Sequence, residues 1–529
     1  MGLMLKRTLT AACLIMLILT SCNNPGTRIL GSLPRSIPEA EGVDSKGIIA
    51  FINAANKSNH EFHSIMLLRH GKVVAEGWWS PYEPSLKHTL YSLSKSFTST
   101  AIGFAVSEKK LKLTDKVISF FPESLPDSVS SNLSEMEVKD LITMSAGLDP
   151  DPTMLIPAND TDWVRAFLSR PVIKKPGTTF LYNSMATYML SAIVQKVSGQ
   201  KMIDYLTPRL FKPLGIEGID WETDPRGFNT GGWGLRLRTE DMAKFGQLYL
   251  QNGRWNGKQI IPADWIKEAT TFKIDQAPGV PDSIKNRSDW MQGYCYQFWK
   301  CRHNAFRGDG AFGQYIIVMP EKDATVAITC ETPDMQGELN LVWDYILPAL
   351  KDQAIPAAAE SDALLKEMLG SLMVKSPGKG IDLQPGSSIA GKTFIFAEND
   401  IKMESFSFSF KGKNCLLKMR DNGHDYEFTF SNDGWAKGMT ARPGPNLLAS
   451  EKGYSTQLPE VEVAGIYRWR DTCDLELTLR YIESPHTEIF NCTFKGDSLT
   501  VKPEISFLKG IQSSLYSKNR ILKGSTAPR

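Results

Sequence analysis

The chain has 529 residues, 42% of them hydrophobic and 22% charged, and its formal net charge at pH 7 is +2. That length exceeds what a single hydrophobic core usually supports, so we expect two or three domains with the composition of an ordinary soluble protein. The near balance of charge argues against nucleic acid as a partner. The lack of zinc-type Cys/His spacings and phosphate-binding glycine loops gives no indication of a metal or nucleotide cofactor.

The N-terminus has the pattern of a bacterial export signal. Two basic residues, Lys6-Arg7, precede the apolar run Ala11 to Leu19, which is too short to span a bilayer as a helix. The run ends in Leu19-Thr20-Ser21-Cys22, which resembles a bacterial lipobox, where cleavage leaves the cysteine lipidated at the new N-terminus. We therefore expect residues 1–21 to be a lipoprotein signal peptide and Cys22 to be lipidated. An ordinary signal peptide with an incidental cysteine is the alternative.

The residues after this cysteine predict the location of the protein. Asn23 and Asn24 carry no acidic signal that would retain a lipoprotein in the inner membrane, so a lipid anchor in the outer membrane is expected. Residues 22–34 are then a short tether. No later segment is long and apolar enough to cross a membrane.

The region 35–353 predicts an α+β domain. The segments 63–68 and 72–78 flank the turn His70-Gly71 and predict a β-hairpin. After the helix that begins near residue 92, the patterns predict helices at 133–150, 184–200, 202–215 and 239–253, strands at 296–300, 313–320 and 324–330, and a closing helix at 338–351. Strands at both ends predict one sheet with helices on its faces, an inserted helical lobe, and a cleft between sheet and lobe.

The string YSLSKSFTST at 91–100 places Ser92 and Lys95 three residues apart at the start of a predicted helix, so both lie on one face. A serine hydroxyl needs an adjacent base to become a nucleophile, and lysine can serve only where its surroundings lower its pKa. The apolar residues of this helix form a separate stripe: Leu93, Phe97, Ala101, Phe104 and Ala105. We therefore expect the helix to bury that stripe and to present the Ser92–Lys95 pair to a cleft.

The spacing alone carries little weight. Ser-x-x-Lys also occurs at Ser107/Lys110, Ser198/Lys201, Ser376/Lys379 and Ser506/Lys509. The sequence context, rather than the tetrapeptide, separates the first instance from these four.

The last third of the chain changes character. Residues 354–388 contain a short helix near 364–372 and a polar, Gly- and Pro-rich linker at 375–388. Beyond the linker, apolar residues alternate with others at 406–410, 426–430 and 475–481, which is the period of a strand with one buried face. Residues 389–529 therefore predict an all-β domain, either a barrel or a sandwich, in which catalytic residue types are not concentrated.

Six cysteines follow the export signal, at positions 295, 301, 330, 415, 473 and 492. An exported protein can form disulfides, but these spacings dictate no pairing. Buried free thiols fit them equally well.

Six segments of the region 35–353 stand out, in order: LLRHGKVVAEGWW, YSLSKSFTST, LITMSAGL, PGTTFLYNSMATYML, GGWGLRLRTEDMAKFGQLYL and GDGAFGQYIIVMPEKDATVAIT. Together they resemble the serine β-lactamase and penicillin-binding protein superfamily, and most closely its class C and esterase-like branch. Ser-x-x-Lys is a signature of such acyl-serine enzymes. The resemblance implies a β-lactamase/transpeptidase-like domain, an antiparallel sheet flanked by helices with a helical lobe. It does not extend to the linker or the C-terminal domain.

Carried over position by position, the resemblance makes Ser92 the nucleophile and Lys95 its basic partner. The family's Tyr-x-Asn motif falls on Tyr182-Asn183-Ser184, so Tyr182 is expected to shuttle a proton between Ser92 and the leaving group. A plain core tyrosine is the alternative for this position. Ser184 replaces the family's asparagine, so a hydroxyl takes the place of a side-chain amide that contacts substrate.

The family's third motif, Lys- or His-Thr-Gly, corresponds to Gly308-Asp309-Gly310. The resemblance implies an oxyanion hole formed by the backbone N–H groups of Ser92 and Ala311, which does not depend on the side chains that differ. It also implies substrate contacts along 308–310, although Gly308 lacks the cation that holds a carboxylate in penicillin-recognising members. The neighbouring Arg307 is expected to project from the opposite face of the strand, toward the aspartate.

The predicted activity is hydrolysis of an ester or amide through a covalent acyl-serine on Ser92, without a metal or organic cofactor. The expected partners are a small-molecule or peptide-like acyl substrate and, through the lipid anchor, a membrane. A D,D-peptidase or β-lactamase acting on cell-wall-like substrates is the second reading, less favoured because position 308 has no cation. A non-catalytic binding lipoprotein on the same scaffold is the third. A nucleophile-elbow hydrolase is excluded, because no Gly-x-Ser-x-Gly occurs.

Overall fold

The structure, a computed structural model, describes residues 32–155, 160–383, 389–448, 455–508 and 520–526. The predicted signal peptide at 1–21 and the predicted lipidation site Cys22 lie outside the described residues. The end of the expected tether packs against the first domain, since Leu33 is buried and the N–H of Val73 donates to Pro34 O over 2.8 Å. No helix within the described ranges has the length and hydropathy needed to span a bilayer.

The α-helices of the described chain lie before the C-terminal domain. In chain order they are α1 Ser45–Lys57, α2 Ser94–Ser107, α3 Ser131–Glu135, α4 Val138–Ile142, α5 Trp163–Leu168, α6 Ser184–Ser198, α7 Met202–Leu206, α8 Thr239–Leu250, α9 Ala263–Thr270, α10 Asp282–Lys285, α11 Met335–Leu341, α12 Leu347–Ala349 and α13 Ala359–Gly370. A π-helical turn, Thr207–Phe211, extends α7, and another, Val342–Ile346, joins α11 to α12.

The strands fall into two groups. Those of the first domain are β1 Glu61–Arg69, β2 Lys72–Trp78, β3 His88–Thr89, β4 Asp220–Trp221, β5 Leu235–Leu237, β6 Arg254–Trp255, β7 Lys258–Gln259, β8 Trp299–Lys300, β9 Phe306–Gly310, β10 Gln314–Met319 and β11 Ala324–Glu331. Those of the C-terminal domain are β12 Thr393–Phe396, β13 Met403–Lys411, β14 Asn414–Asp421, β15 His424–Ser431, β16 Ala436–Thr440, β17 Val461–Trp469, β18 Asp474–Tyr481, β19 Thr487–Lys495, β20 Ser498–Ile505 and β21 Leu522–Thr526.

A six-stranded antiparallel sheet forms the centre of the first domain. Its order is β2-β1-β11-β10-β9-β8, so it joins strands from both ends of the region and confirms the predicted α+β arrangement. Met66 and Leu68 of β1 pack into the core that contains α2, α6 and α8, whereas Ile65 and Leu67 pack with α1 and the helix at 335–349. Alternate side chains of one strand therefore serve two cores, one on each face of the sheet.

The helical lobe differs from the prediction at 133–150. The pattern there predicts one helix, but two short helices, α3 and α4, occupy its first part and an irregular loop its second. Helix α4 begins at a capping box, in which Glu137 and Asp140 each accept from the other residue's backbone N–H. This cap starts a new helix soon after α3 has ended.

Helix α2 is buried on nearly every side, so the prediction of a single buried stripe is wrong. Most of its hydroxyl-bearing residues are buried along with the apolar ones because their hydroxyls donate to nearby carbonyls, although the buried Ser99 hydroxyl has no such acceptor. Thr98 Oγ1 donates to Gly231 O at 2.9 Å, and Thr100 Oγ1 donates to Ser96 O at 2.9 Å. Satisfied in this way, short polar side chains can pack in the interior of a domain.

The C-terminal region forms a closed barrel, as one of the two predicted all-β alternatives. In its described residues, nine strands form the barrel in the order β15-β14-β13-β12-β21-β20-β19-β18-β17, and a parallel pairing between β15 and β17 closes it. Strand β16 pairs antiparallel with β17, next to this closure. The predicted alternation is confirmed on β13, where Phe406 and Phe408 are buried. It is wrong on β18, where Glu476 and Arg480 are buried as well as the apolar residues.

The outer face of β18 is covered because the barrel packs against the first domain there. Arg480 donates to both carboxylate oxygens of Glu61, at 2.5 and 2.9 Å. Glu483, which follows β18, pairs with the buried Arg236 at 3.3 Å. Buried paired charges therefore form part of the interface between the two domains.

The six described cysteines are all free thiols, and only Cys473 is exposed. Burial raises the pKa of the Cys295 thiol to about 12, so it stays protonated and unreactive at neutral pH.

Candidate active site

The amine of Lys95 lies at the centre of the site. Its Nζ donates to Ser92 Oγ at 3.0 Å, to Ser184 Oγ at 3.0 Å and to the Gly232 carbonyl at 2.8 Å. These oxygens come from the turn before α2, the start of α6 and the segment before β5. The fold thus brings Ser92, Lys95 and Ser184 together.

The surroundings of Lys95 favour a neutral amine. The residue is 2% exposed, and burial lowers its pKa to about 7, although Asp151 and Asp309 act in the opposite direction. All three of its direct partners are neutral oxygens. A deprotonated amine keeps two N–H groups, enough for Gly232 O and Ser184 Oγ, and can turn its lone pair toward the hydroxyl of Ser92.

Ser92 lies in a 3₁₀ turn, Tyr91–Leu93, directly before α2, rather than in the helix itself. Its side chain is half-buried, so it is reachable from solvent. The preceding residue, Tyr91, has a φ of 47°, a left-handed conformation that bulky residues rarely adopt. Backbone strain of this kind typically costs about 1–3 kcal/mol and clusters at functional sites.

Tyr182 lies beside the nucleophile. Its hydroxyl lies near Ser92, which opposes the rise in its pKa, and the Lys95 amine lies 4.8 Å from the centre of its ring. The ring stacks on Trp299 with centroids 5.6 Å apart. Burial of the hydroxyl and the nearby Asp309 carboxylate raise the pKa of Tyr182 above its ordinary value, so the group is a neutral phenol.

The other two residues of this motif have structural contacts. Asn183 is the N-cap of α6, where its Oδ1 accepts from the N–H of Ala186 at 3.0 Å. Ser184 was expected to contact substrate, but its hydroxyl binds the Lys95 amine. We infer that Ser184 positions the lysine.

The glycines of the third motif allow strand β9 to approach the turn that carries Ser92. A Cβ on Gly310 would lie 2.0 Å from Leu90 O, and one on Gly308 would lie 2.5 Å from Leu93 Cδ1. The contact with the Leu90 carbonyl requires glycine at 310, whereas a side chain at 308 would have to displace the side chains of Leu93 and Ser96. The Cβ side of Gly308 and Gly310 therefore faces α2 and its N-terminal turn, and the expected contact of these two residues with a substrate stays a prediction.

The opposite face of β9 carries an ion pair. Arg307 Nε donates to Asp309 Oδ2 at 2.9 Å, and Arg307 Nη1 donates to Asp289 O at 2.8 Å. This confirms the predicted direction of Arg307. Asp309 was expected to contact substrate, but it is 7% exposed and bound to the guanidinium. Burial raises the pKa of Asp309, and Arg307 opposes that effect.

Ala311 directly follows β9 and is half-buried. The next residue, Phe312, has a φ of 68°, so both predicted oxyanion donors adjoin a bulky residue in the left-handed region. The segments that carry them, 90–93 and 308–312, are in direct contact through Gly308 and Gly310.

Several residues of the site were not singled out from the sequence. The Gly232 carbonyl lies in the segment GGWG, which belongs to one of the six family segments, but nothing in that segment indicates a contact with Lys95. Gln297 gave no signal, yet its Oε1 accepts from Thr187 Oγ1 at 2.7 Å and its Nε2 donates to Ile142 O at 2.8 Å. Its carbonyl also accepts from Ser96 Oγ at 2.9 Å, so it ties α2, α4 and α6 together.

An apolar wall borders Tyr182. It is formed by a small cluster of buried and half-buried side chains: Met144, Phe180, Tyr182, Ile274, Trp290, Tyr294 and Trp299. Such a surface suits an apolar part of a ligand, with the polar groups of the site fixing its orientation.

Residues 63–351, more than half of the chain, match the family model described as Beta-lactamase. The protein belongs to the Beta-lactamase family. It is 24% identical over 295 residues to 6-aminohexanoate-dimer hydrolase from Paenarthrobacter ureafaciens, covering 51% of this chain and 73% of that protein. It is 27% identical over 167 residues to Protein flp from Staphylococcus aureus strain MW2, covering 29% of this chain and 33% of that protein.

Among solved structures, the octameric penicillin-binding protein homologue from Pyrococcus abyssi aligns with this chain over 90% of this chain and 99% of the homologue's chain. Its TM-score is 0.45 and its sequence identity 16%. The family of this chain consists of serine hydrolase-like proteins with a β-lactamase/transpeptidase-like fold.

Proposed function

We propose that this protein is an exported lipoprotein serine hydrolase that cleaves an ester or amide through a covalent acyl-serine on Ser92. One observation carries the proposal: the Lys95 amine lies 3.0 Å from Ser92 Oγ and has a pKa of about 7. A neutral amine at that distance is the base that a serine nucleophile requires.

The arrangement supports a specific division of labour. Lys95 takes the proton of Ser92 as Oγ attacks the carbonyl carbon, because its pKa lies near neutrality whereas Tyr182 is a neutral phenol. Tyr182, which lies next to Ser92, then donates its proton to the leaving group. It regains a proton from Lys95, which had accepted it from Ser92. The N–H groups of Ser92 and Ala311 stabilise the oxyanion, and water releases the acid.

The charges around the site favour a substrate without a carboxylate next to the scissile bond. Gly308 supplies no cation, Arg307 is turned away and paired with Asp309, and Lys95 is close to neutral. The apolar wall beside Tyr182 suits an apolar acyl or leaving group. A relative is named for hydrolysis of a 6-aminohexanoate dimer, which agrees with a substrate other than a β-lactam.

Covalent labelling tests the reaction class. The purified mature protein should react with a fluorophosphonate probe, and Ser92→Ala should abolish the label while keeping the native melting temperature. Ser107→Ala is the matched control, since this exposed serine of another Ser-x-x-Lys string, at the far end of α2, donates to Phe104 O at 2.9 Å and should leave labelling intact. A folded wild-type protein that no serine probe labels would make it a binding lipoprotein instead.

Parallel kinetics then separate the substrate classes. Acyl esters, short amides, a chromogenic cephalosporin and a D-Ala-D-Ala peptide should be compared at equal enzyme concentration. We expect the highest kcat/KM on an ester or amide with an apolar acyl group. A clear preference for the cephalosporin or the peptide would identify a β-lactamase or a D,D-peptidase.

The location is a separate part of the proposal and depends on residues 1–34. Radiolabelled fatty acid should be incorporated into the full-length protein in bacteria, and Cys22→Ala should abolish incorporation. Fractionation of the envelope should then place the lipidated form in the outer membrane. Secretion of an unlipidated mature chain would contradict the anchor and leave the reaction class untouched.

A further inference from the structure

The barrel contacts the residues next to both proposed oxyanion donors. Its turn after β18 carries His486, a fully buried side chain whose Nε2 lies 2.5 Å from the hydroxyl of Tyr91. Tyr91 directly precedes Ser92. The rings of His486 and Phe312 also meet edge to face with centroids 4.9 Å apart, and Phe312 directly follows Ala311.

These side chains form one cluster across the domain boundary. Phe507 of the barrel packs against Phe312 at 5.4 Å and against His486 at 4.4 Å, and Tyr91 meets Phe312 at 5.5 Å. Edge-to-face and tilted contacts at these separations are favourable. Two rings from the first domain and two from the barrel therefore hold one another in place.

The orientation of His486 is fixed by contacts at the ring nitrogen that does not face Tyr91. Its Nδ1 lies 2.7 Å from Glu331 Oε1, and the same oxygen accepts from Ser506 Oγ at 2.7 Å. Because the carboxylate accepts from Nδ1, the ring is held in one orientation, and its Nε2 faces the Tyr91 hydroxyl. A second anchor lies close by, where the N–H of Thr89 donates to Glu483 O at 2.9 Å.

Tyr91 and Phe312 need such support. Both have left-handed backbones, with φ of 47° and 68°, which bulky residues leave unless their surroundings prevent it. Relaxation of either residue would rotate the neighbouring peptide group and move an N–H that must point at the oxyanion. The cluster is thus placed to prevent this rotation at both donors.

We infer that the C-terminal barrel supports catalysis. His486, together with Phe507, clamps Tyr91 and Phe312 and thereby keeps the two oxyanion N–H groups pointing at the oxyanion. The inference rests on the proposed function. His486 is a positioning residue, because it acts through Tyr91 and touches neither substrate nor nucleophile. It also gives the barrel a role that its own sequence, poor in catalytic residue types, does not suggest.

The test compares covalent labelling of Ser92 by a fluorophosphonate with ester turnover. His486→Ala should lower the labelling rate constant and kcat about 10- to 100-fold, as expected for misplaced transition-state donors, and leave KM within about twofold. Tyr91→Phe should have a similar effect, and the double variant should be no worse than either single one. His486→Gln, which can both donate to Glu331 and accept from Tyr91, should recover most of the rate.

Controls separate this role from general stability. Lys437→Ala removes an exposed ion pair with Glu83 at the same domain interface and should leave the labelling rate unchanged. If His486→Ala fails to fold, Tyr91→Phe carries the test alone, since it removes one oxygen and keeps the ring. A wild-type labelling rate in a folded variant, or multiplicative effects in the double variant, would overturn the clamp. A wild-type protein that cannot be labelled would refute the proposed function first.

Discussion

Two buried basic side chains of this molecule have surroundings that shift their pKa values in opposite directions. Arg480, 5% exposed at the domain interface, forms two hydrogen bonds with the Glu61 carboxylate, which raises its pKa above the ordinary value despite burial. Lys95, 2% exposed in the cleft, binds only neutral oxygens, and burial lowers its pKa to about 7. The contacts of Arg480 at the interface favour its charged form, whereas the surroundings of Lys95 in the cleft favour loss of its proton.

This difference follows from general electrostatics. A desolvated cation is tolerated when a carboxylate accepts its hydrogen bonds, and without one its proton is released more easily. An amine with a pKa near neutrality can act as a base, whereas a paired guanidinium cannot. The buried Lys95 amine of the cleft thus has a chemical use, and the buried Arg480 guanidinium at the interface has an architectural one.

The largest effect is expected from removing the cleft amine. Lys95→Met keeps most of the stem but removes the base, so kcat/KM on an ester should fall by at least about 10³-fold. Lys196→Met, which removes an exposed ion pair with Glu123, is the matched control and should change activity less than about twofold. Retention of more than a tenth of the activity by Lys95→Met would show that another group activates Ser92.

Breaking the charge pair of the interface should instead affect stability. Arg480→Met removes the guanidinium that pairs with Glu61, leaves that carboxylate with the His63 ring 3.3 Å away, and should lower the free energy of unfolding by about 3 kcal/mol in a denaturant titration. The double variant Glu61→Gln/Arg480→Met should recover much of this loss, because no charge is then left unpaired. A double variant as unstable as the single one would mean that packing, rather than charge, dominates at this position.

Acid should destabilise the interface as the pH falls below about 6.5, after the Lys95 amine with its pKa of about 7 has begun to take up a proton. His63 and His88 are buried there with Nδ1 and Nε2 3.1 Å apart, and burial lowers both pKa values below that of an unfolded histidine. The unfolded chain therefore binds more protons below about pH 6.5, and stability should fall by up to about 1.4 kcal/mol per histidine for each pH unit. Thermal unfolding between pH 7.5 and 5 measures this slope.

A variant makes the acid effect specific. His88→Gln should flatten the slope, because it removes one of the two groups that must take up a proton. An unchanged slope in this variant would assign the acid sensitivity to other groups.

The smallest effect is expected at the rim of the interface. Lys437→Ala removes an exposed ion pair with Glu83, and such pairs contribute about 0–1 kcal/mol. Its melting temperature should stay within about 2 °C of the wild type. A larger drop would show that the rim contributes more to docking than the buried pairs suggest.

The sequence was sufficient to predict the meeting of Ser92, Lys95 and Tyr182, because family motifs in order imply a shared fold even when their residues lie far apart. The barrel was foreseeable as an all-β domain from the alternation in β13, β15 and β18. The direction of Arg307 also followed from the alternation of side chains along β9.

Contacts across the domain boundary could not be predicted. His486 lies 395 residues from Tyr91, and no periodicity links the two. The buried outer face of β18 is invisible for the same reason, since Arg480 reads as a solvent-facing residue until Glu61 is placed beside it. In α2, hydroxyls bonded to backbone carbonyls allow Ser and Thr to be buried, which a count of polar residues misses.

The most direct test of the account is the pH dependence of the rate at which a fluorophosphonate labels Ser92. We predict a rate that rises with pH through a midpoint near 7 and then levels off, as the Lys95 amine loses its proton. Labelling that stays flat between pH 5.5 and 9, or that rises only near the pKa of an ordinary lysine, would contradict the assignment of Lys95 as the base.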